Sequence, residues 1–181
     1  MKAKILEGII FLFTALAATA TGAGSVNFSD ARYIEINDCP HVSLSGFTGG
    51  NSYDDRRRDY RFKMNLAWVN KSEKPIIAME INIAKYDPFN RHISTRRWLI
   101  TGHDSGNWEA LKPGEGASDG TMGLSTEDHY IAFAYVTTIR FNDNTVWRYD
   151  PNKITAKIKS ELPGLKDVGN IDGERSLPDK K

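Results

Sequence analysis

The run His103-Asp104-Ser105 holds the three side-chain types of a hydrolytic triad. A triad needs its histidine between the other two groups, with the three converging from separate elements. Three neighbours on one loop cannot make that geometry alone. The surrounding Gly102-His103-Asp104-Ser105-Gly106 also interrupts the Gly-Asp-Ser-Gly of trypsin-like proteases, and no second catalytic histidine motif accompanies it. The segment reads as a polar loop, with a small hydrolase built around His103, Asp104 and Ser105 as one alternative. Trp98 and Trp108 flank the same loop. Aromatic faces stack on the C–H faces of sugar rings, so Trp98 and Trp108, with His103 and Asp104 between them, define a second alternative, a carbohydrate-binding module. His41, His92 and His129 stand at no zinc spacing; a composite of His103, Asp104 and His129 would need the loop to fold over a strand. No catalytic residue, metal site or cofactor is expected.

The elements that must position these residues are mostly strands. Period-2 alternation is clearest from Tyr60 to Val69, where Tyr60, Phe62, Met64, Leu66 and Trp68 point one way. A polar turn at Asn70–Lys74 leads into a strand from Ile76 to about Tyr86, with Ile77, Met79, Ile81 and Ile83 on its apolar face. Further strands are expected over Ile93–Thr101, Gly106–Lys112, Ala117–Gly123 and His129–Phe141, the last with Ile131, Phe133, Tyr135, Ile139 and Phe141 on one inner face. Asn142-Asp143-Asn144 closes a hairpin onto Thr145–Tyr149, because Asn and Asp tolerate positive φ. Tyr33–Asn37 and Val42–Phe47 are weaker strand candidates. Asp150 and Pro151 suit the cap and first position of a helix over about 151–162, with Ile154, Ile158 and Leu162 as its stripe. Residues 166–181 read as a flexible polar tail.

The N-terminus sets the compartment. Lys2 and Lys4, an apolar run from Ile9 to Ala18 and the small residues Thr19–Ser25 make the three-part pattern of a signal peptide over residues 1–23. Ala20 and Ala23 both end acceptable cleavage sequences. A spanning helix needs about 20 apolar residues, more than this run supplies, so no membrane anchor is expected after cleavage. Cleavage after Ala23 leaves 158 of the 181 residues, one domain over 24–165 with its tail, and removes two lysines and one glutamate. The remaining 22 basic and 22 acidic residues cancel, which gives no pull toward nucleic acid. Cys39 is the lone cysteine, so no internal disulfide staples the fold. The block Asp54–Asp59 mixes both signs and reads as a solvated loop.

Three segments then form a set: Trp68-Val69-Asn70-Lys71-Ser72-Glu73-Lys74-Pro75-Ile76, Leu111-Lys112-Pro113-Gly114-Glu115, and Val136-Thr137-Thr138-Ile139-Arg140-Phe141-Asn142-Asp143-Asn144-Thr145-Val146-Trp147. The set resembles small exported bacterial proteins of unknown function with an immunoglobulin-like antiparallel β-sandwich. The resemblance covers about residues 60–150 and implies that fold; it carries no functional residue. Together these readings predict an all-β secreted or periplasmic protein with one short C-terminal helix. The expected function is a non-catalytic binding or interaction module with a protein, or alternatively a glycan, as partner.

Overall fold

The computed structural model describes residues 31–56, 58–101, 109–122 and 129–173. The chain is all-β with one helix. Its strands are β1 (Arg32–Ile36), β2 (Val42–Asp54), β3 (Asp59–Asn70), β4 (Ile76–Tyr86), β5 (His92–Thr101), β6 (Gly116–Met122), β7 (Ile131–Phe141) and β8 (Val146–Arg148), followed by α1 (Pro151–Glu161). One open sheet runs β1-β7-β4-β5, with β8 paired to β7, and the other runs β2-β3-β6. β1 lies parallel to β7; the other pairs are antiparallel.

The two sheets share one apolar core. Leu44, Phe47, Phe62, Met64, Leu66 and Trp68 come from the three-stranded sheet, and Met79, Ile81, Ile83, Ala132, Ala134 and Val136 from the five-stranded sheet. A second cluster covers the outer face of the five-stranded sheet. There Ala84, Tyr86, Ile131, Phe133 and Tyr135 meet Ile154, Ile158 and Leu162 of the helix region, together with Ile171. β4 and β7 are therefore buried on both faces.

The expected single inner face of β7 is corrected by this arrangement. Ile131, Phe133 and Tyr135 face the helix, whereas Ile139 and Phe141 enter the inter-sheet core. The cause is a β-bulge. Glu80 and Ile81 are adjacent in β4, yet they pair with Thr138 and Val136. Thr137 is the extra residue, and every side chain beyond it changes face. A second bulge lies at Ile77, between the pairs Ile76–Phe141 and Ala78–Arg140. It puts Ile76 rather than Ile77 into the core beside Met79.

The turns form for local reasons. Asn144 takes φ +65° in the β7–β8 hairpin, as Asn readily does. Asp150 caps α1 by accepting from the Asn152 N–H at 2.9 Å. Asn70 is fully buried, and its amide donates to the carbonyls of Lys74 and Leu111 while its oxygen accepts from Ser72. One side chain thus joins the 70–74 turn to the 111–115 turn. It is also spent, with both its amide hydrogens and its oxygen engaged. Leu111 makes only a bridge to Ile76 where a strand over Gly106–Lys112 was expected; residues 106–108 lie outside the described ones.

The reading of residues 166–181 as a flexible tail is corrected for its first half. Residues 163–173, here called the strap, lie across the outer face of the five-stranded sheet. Tyr86 Oη donates to the Val168 carbonyl at 2.8 Å and Tyr135 Oη to the Ile171 carbonyl at 2.6 Å. Ile171 is buried. Residues 1–23, expected to be a signal peptide, and residues 174–181 lie outside the described residues.

The bulge makes a specific prediction. Deleting Thr137 should put Ile139 and Phe141 on the wrong face and abolish cooperative urea unfolding. Thr137→Val keeps the register and should cost only about 1 kcal/mol, the scale of one lost hydrogen bond. Equal behaviour of the two variants in circular dichroism melts would contradict the assignment.

Candidate functional site

The outer face of the five-stranded sheet carries a row of polar side chains where the helix leaves it uncovered. Alternation along β4 puts Glu80 and Asn82 on this face. Register sets Arg97 of β5 directly opposite Asn82, and Thr138 of β7 opposite Glu80. Arg148 of β8 pairs with Thr138 and continues the row. Tyr149 and Pro151, at the start of α1, form one wall, and Asp172 and Gly173 of the strap form the other. The result is a cleft of about 600 Å³ lined by these residues and Thr137.

Most charges in the cleft are already engaged. Arg97 Nη2 and Glu80 Oε2 form an ion pair. Thr137 Oγ1 donates to Glu80 Oε1 at 2.9 Å, so the bulge residue holds the carboxylate. Tyr149 Oη donates to Asp172 Oδ1. Burial first, and then that bond to Asp172, push the Tyr149 hydroxyl above the ordinary tyrosine range. Burial does the same to Tyr135. Both therefore stay protonated and act as donors. Asn82 donates from Nδ2 to the Ile171 and Asp172 carbonyls, each at 2.9 Å.

Two buried atoms remain without a hydrogen-bond partner among the described residues, Asn82 Oδ1 and Arg97 Nε. They belong to one cross-strand pair, one an acceptor and the other a donor. Unpaired buried polar atoms are costly and uncommon.

A second hollow of about 530 Å³ lies at the other end of the strap, lined by Phe89, Arg91, His92, Leu165, Asp167 and Gly169, among others. His92 Nε2 sits 2.8 Å from Thr95 Oγ1. Burial lowers the pKa of His92 from its ordinary 6.5, and Asp167 opposes that shift. Gly169 has φ +70°, and a Cβ there would lie 2.3 Å from His92 Cγ, so only glycine fits against the ring.

The residues singled out from the sequence do not build this site. Trp98 lies on the opposite face of β5 from Arg97, half-buried, with its ring edge-on to Trp68 at 5.8 Å. Trp108, His103, Asp104 and Ser105 lie outside the described residues. His129 is buried, packed edge-on to Phe62 at 5.0 Å and to Tyr33 at 5.7 Å. Among the described residues no group of three His, Cys, Asp or Glu could hold a metal ion. The cleft residues Glu80 and Asn82 had one signal in the sequence: they are polar positions on a mostly apolar strand. Asp172 had none, because its segment carries no periodicity.

No family model matches the chain, and no curated protein matches it. Two solved structures are similar. One is a hypothetical protein from Peptoclostridium difficile 630, with TM-score 0.47 and 13% identity over 67% of this chain and 92% of that one. The other, from Bordetella pertussis, is assigned by name to ApaA, with TM-score 0.33 and 14% identity over 60% of this chain and 88% of that one. Likenesses of that order assign neither family nor function.

Two predictions follow the geometry. Asn82→Leu leaves the carbonyls of Ile171 and Asp172 without donors, and should cost about 2–3 kcal/mol. Hydrogen exchange should rise across residues 165–173 first; uniform exchange across β2 and β3 as well would contradict a role confined to the strap. For His92 the sign follows from its lowered pKa. As pH falls through 6.5 the unfolded chain takes up a proton more readily than the folded one, so stability drops. His92→Asn should flatten this part of the slope in thermal melts between pH 5 and pH 7, and an unchanged slope would exclude His92 as its source.

Proposed function

We propose that this chain is an exported, non-catalytic binding protein whose recognition site is the cleft between the start of α1 and the end of the strap. The observation that carries the reading is the pair of unpartnered buried atoms, Asn82 Oδ1 and Arg97 Nε, in a polar cleft built on strands. Clefts of this size that hold a few convergent polar groups are the usual place for a ligand. Catalysis by proton transfer wants a group poised to gain or lose a proton near the working pH. The cleft tyrosine is instead held protonated, and the carboxylates of Glu80 and Asp172 are tied to Arg97, Thr137 and Tyr149. Such a set recognises rather than reacts.

The three-part pattern of residues 1–23 supports a secreted or periplasmic setting. Two sheets around one core, with five of the six strand pairings antiparallel, support an immunoglobulin-like sandwich. A protein, or alternatively a glycan, is the partner to test in the cell.

A photocrosslinking residue at the exposed cleft-rim position Arg148, in the chain expressed by its host, should give a covalent adduct. The same residue at Glu73, in a distant turn, should give none. Equal labelling or no labelling at the two positions would remove the cleft as the binding site. Turnover of any ester, peptide or glycoside substrate that disappears in Glu80→Gln would overturn the non-catalytic part.

A further inference from the structure

The two unpartnered atoms of the cleft specify a ligand chemistry. Asn82 and Arg97 are directly opposite on β4 and β5, so their side chains lie about 5 Å apart at Cβ. Arg97 Nε can only donate and Asn82 Oδ1 can only accept. A carboxylate or phosphate would answer the arginine but set oxygen against oxygen at Asn82. An ammonium would answer Asn82 but set a cation against Arg97. A hydroxyl accepts from one and donates to the other through a single atom. The formal charges around the pair balance, Arg97 and Arg148 against Glu80 and Asp172, which favours a neutral ligand. The Thr138 hydroxyl and the Tyr149 ring line the same space, and a volume of about 600 Å³ admits one or two sugar rings.

The strap's end covers this pair. Asp172 seats its carbonyl on Asn82 Nδ2 at 2.9 Å. Gly173 lies against the Arg97 stem so closely that a Cβ would come within 2.8 Å of Arg97 Cγ. Its φ of +72° is a conformation that side chains resist. Both unpartnered atoms are out of contact with solvent, so a ligand reaches them only when these two residues lift.

We propose that the cleft binds a neutral sugar, one of whose hydroxyls bridges Arg97 Nε to Asn82 Oδ1, and that residues 172–173 are the lid the sugar displaces. This rests on the reading of the cleft as a binding site. It is separate from a platform on Trp98, which lies on the other face of β5.

The test is an NMR titration of the full chain with glucose, galactose, mannose, N-acetylglucosamine and short oligomers of each, with glucuronate and a glycine-rich peptide alongside. A neutral sugar should shift the resonances of Asn82, Arg97 and Thr138 and raise hydrogen exchange at 171–173. Arg97→Lys keeps a cation for Glu80 but loses Nε, and should weaken that sugar by roughly tenfold, the scale of one charge-assisted hydrogen bond. Gly173→Ala should act the other way. It destabilises the closed lid, so a larger fraction of molecules is competent to bind, and the apparent affinity should rise severalfold. Because the two variants move affinity in opposite directions, general misfolding cannot mimic the result.

No shift in the cleft with any neutral sugar overturns the proposal. So does preferential binding of glucuronate or the peptide, or sugar binding that Gly173→Ala leaves unchanged. A crosslinked adduct at Arg148 that contains protein and no glycan, alongside an empty sugar titration, would sink the sugar while leaving the binding function standing.

Discussion

Burial of β4 and β7 on both faces is the constraint on which the rest of the molecule depends. A sheet whose central strands meet apolar partners on two sides needs two covers. The three-stranded sheet supplies one cover through Phe62, Met64, Leu66 and Trp68. The helix and the strap supply the other through Ile154, Ile158, Leu162 and Ile171. The helix is 11 residues long, about three turns, and cannot span the whole outer face. The uncovered part of that face is where Glu80, Asn82, Arg97 and Thr138 stand, so the cleft is the remainder left by an incomplete second layer.

The Thr137 bulge couples that layer to the core. Before it, β7 sends its large side chains toward the helix and its alanines toward the other sheet. After it, Ile139 and Phe141 turn inward. The same residue uses its hydroxyl to hold Glu80 and its carbonyl to accept from the Tyr149 N–H. One inserted residue therefore aligns the cleft carboxylate, starts the path into α1 and sets which side chains fill the core.

Much of the fold was legible because alternation reports a half-buried strand. Tyr60–Val69 shows this, with Phe62, Met64, Leu66 and Trp68 all buried as the pattern requires. Asp150, Pro151 and the Ile154–Ile158 spacing marked the helix through capping and periodicity alone. The bulges were illegible. Ile131 through Phe141 keep a constant spacing on paper, and only pairing with β4 reveals that Thr137 breaks it. The strap was illegible too, because Leu165, Val168 and Ile171 are scattered among polar residues and are ordered by side chains far upstream. The site failed for the same reason: its residues come from β4, β5, β7, β8 and the strap, and no local motif joins them. Trp98 drew attention by its type, but the phase of β5 turns it toward Trp68.

The strap's polar grip falls mostly on its carbonyls. Tyr86, Tyr135 and Asn82 each reach for a peptide oxygen, which every amino acid provides. Shape is demanded at Ile171, with Leu165 and Val168 packed beside it, and at Gly164, Gly169 and Gly173, which take positive φ. The other exposed strap positions are therefore open to mutational drift at little cost to the fold. Asp172, at the rim of the cleft, can also change while its backbone stays anchored on Asn82, at the cost of its bond from Tyr149. A lineage could re-tune what the cleft accepts by editing this one border while the framework behind it stays the same.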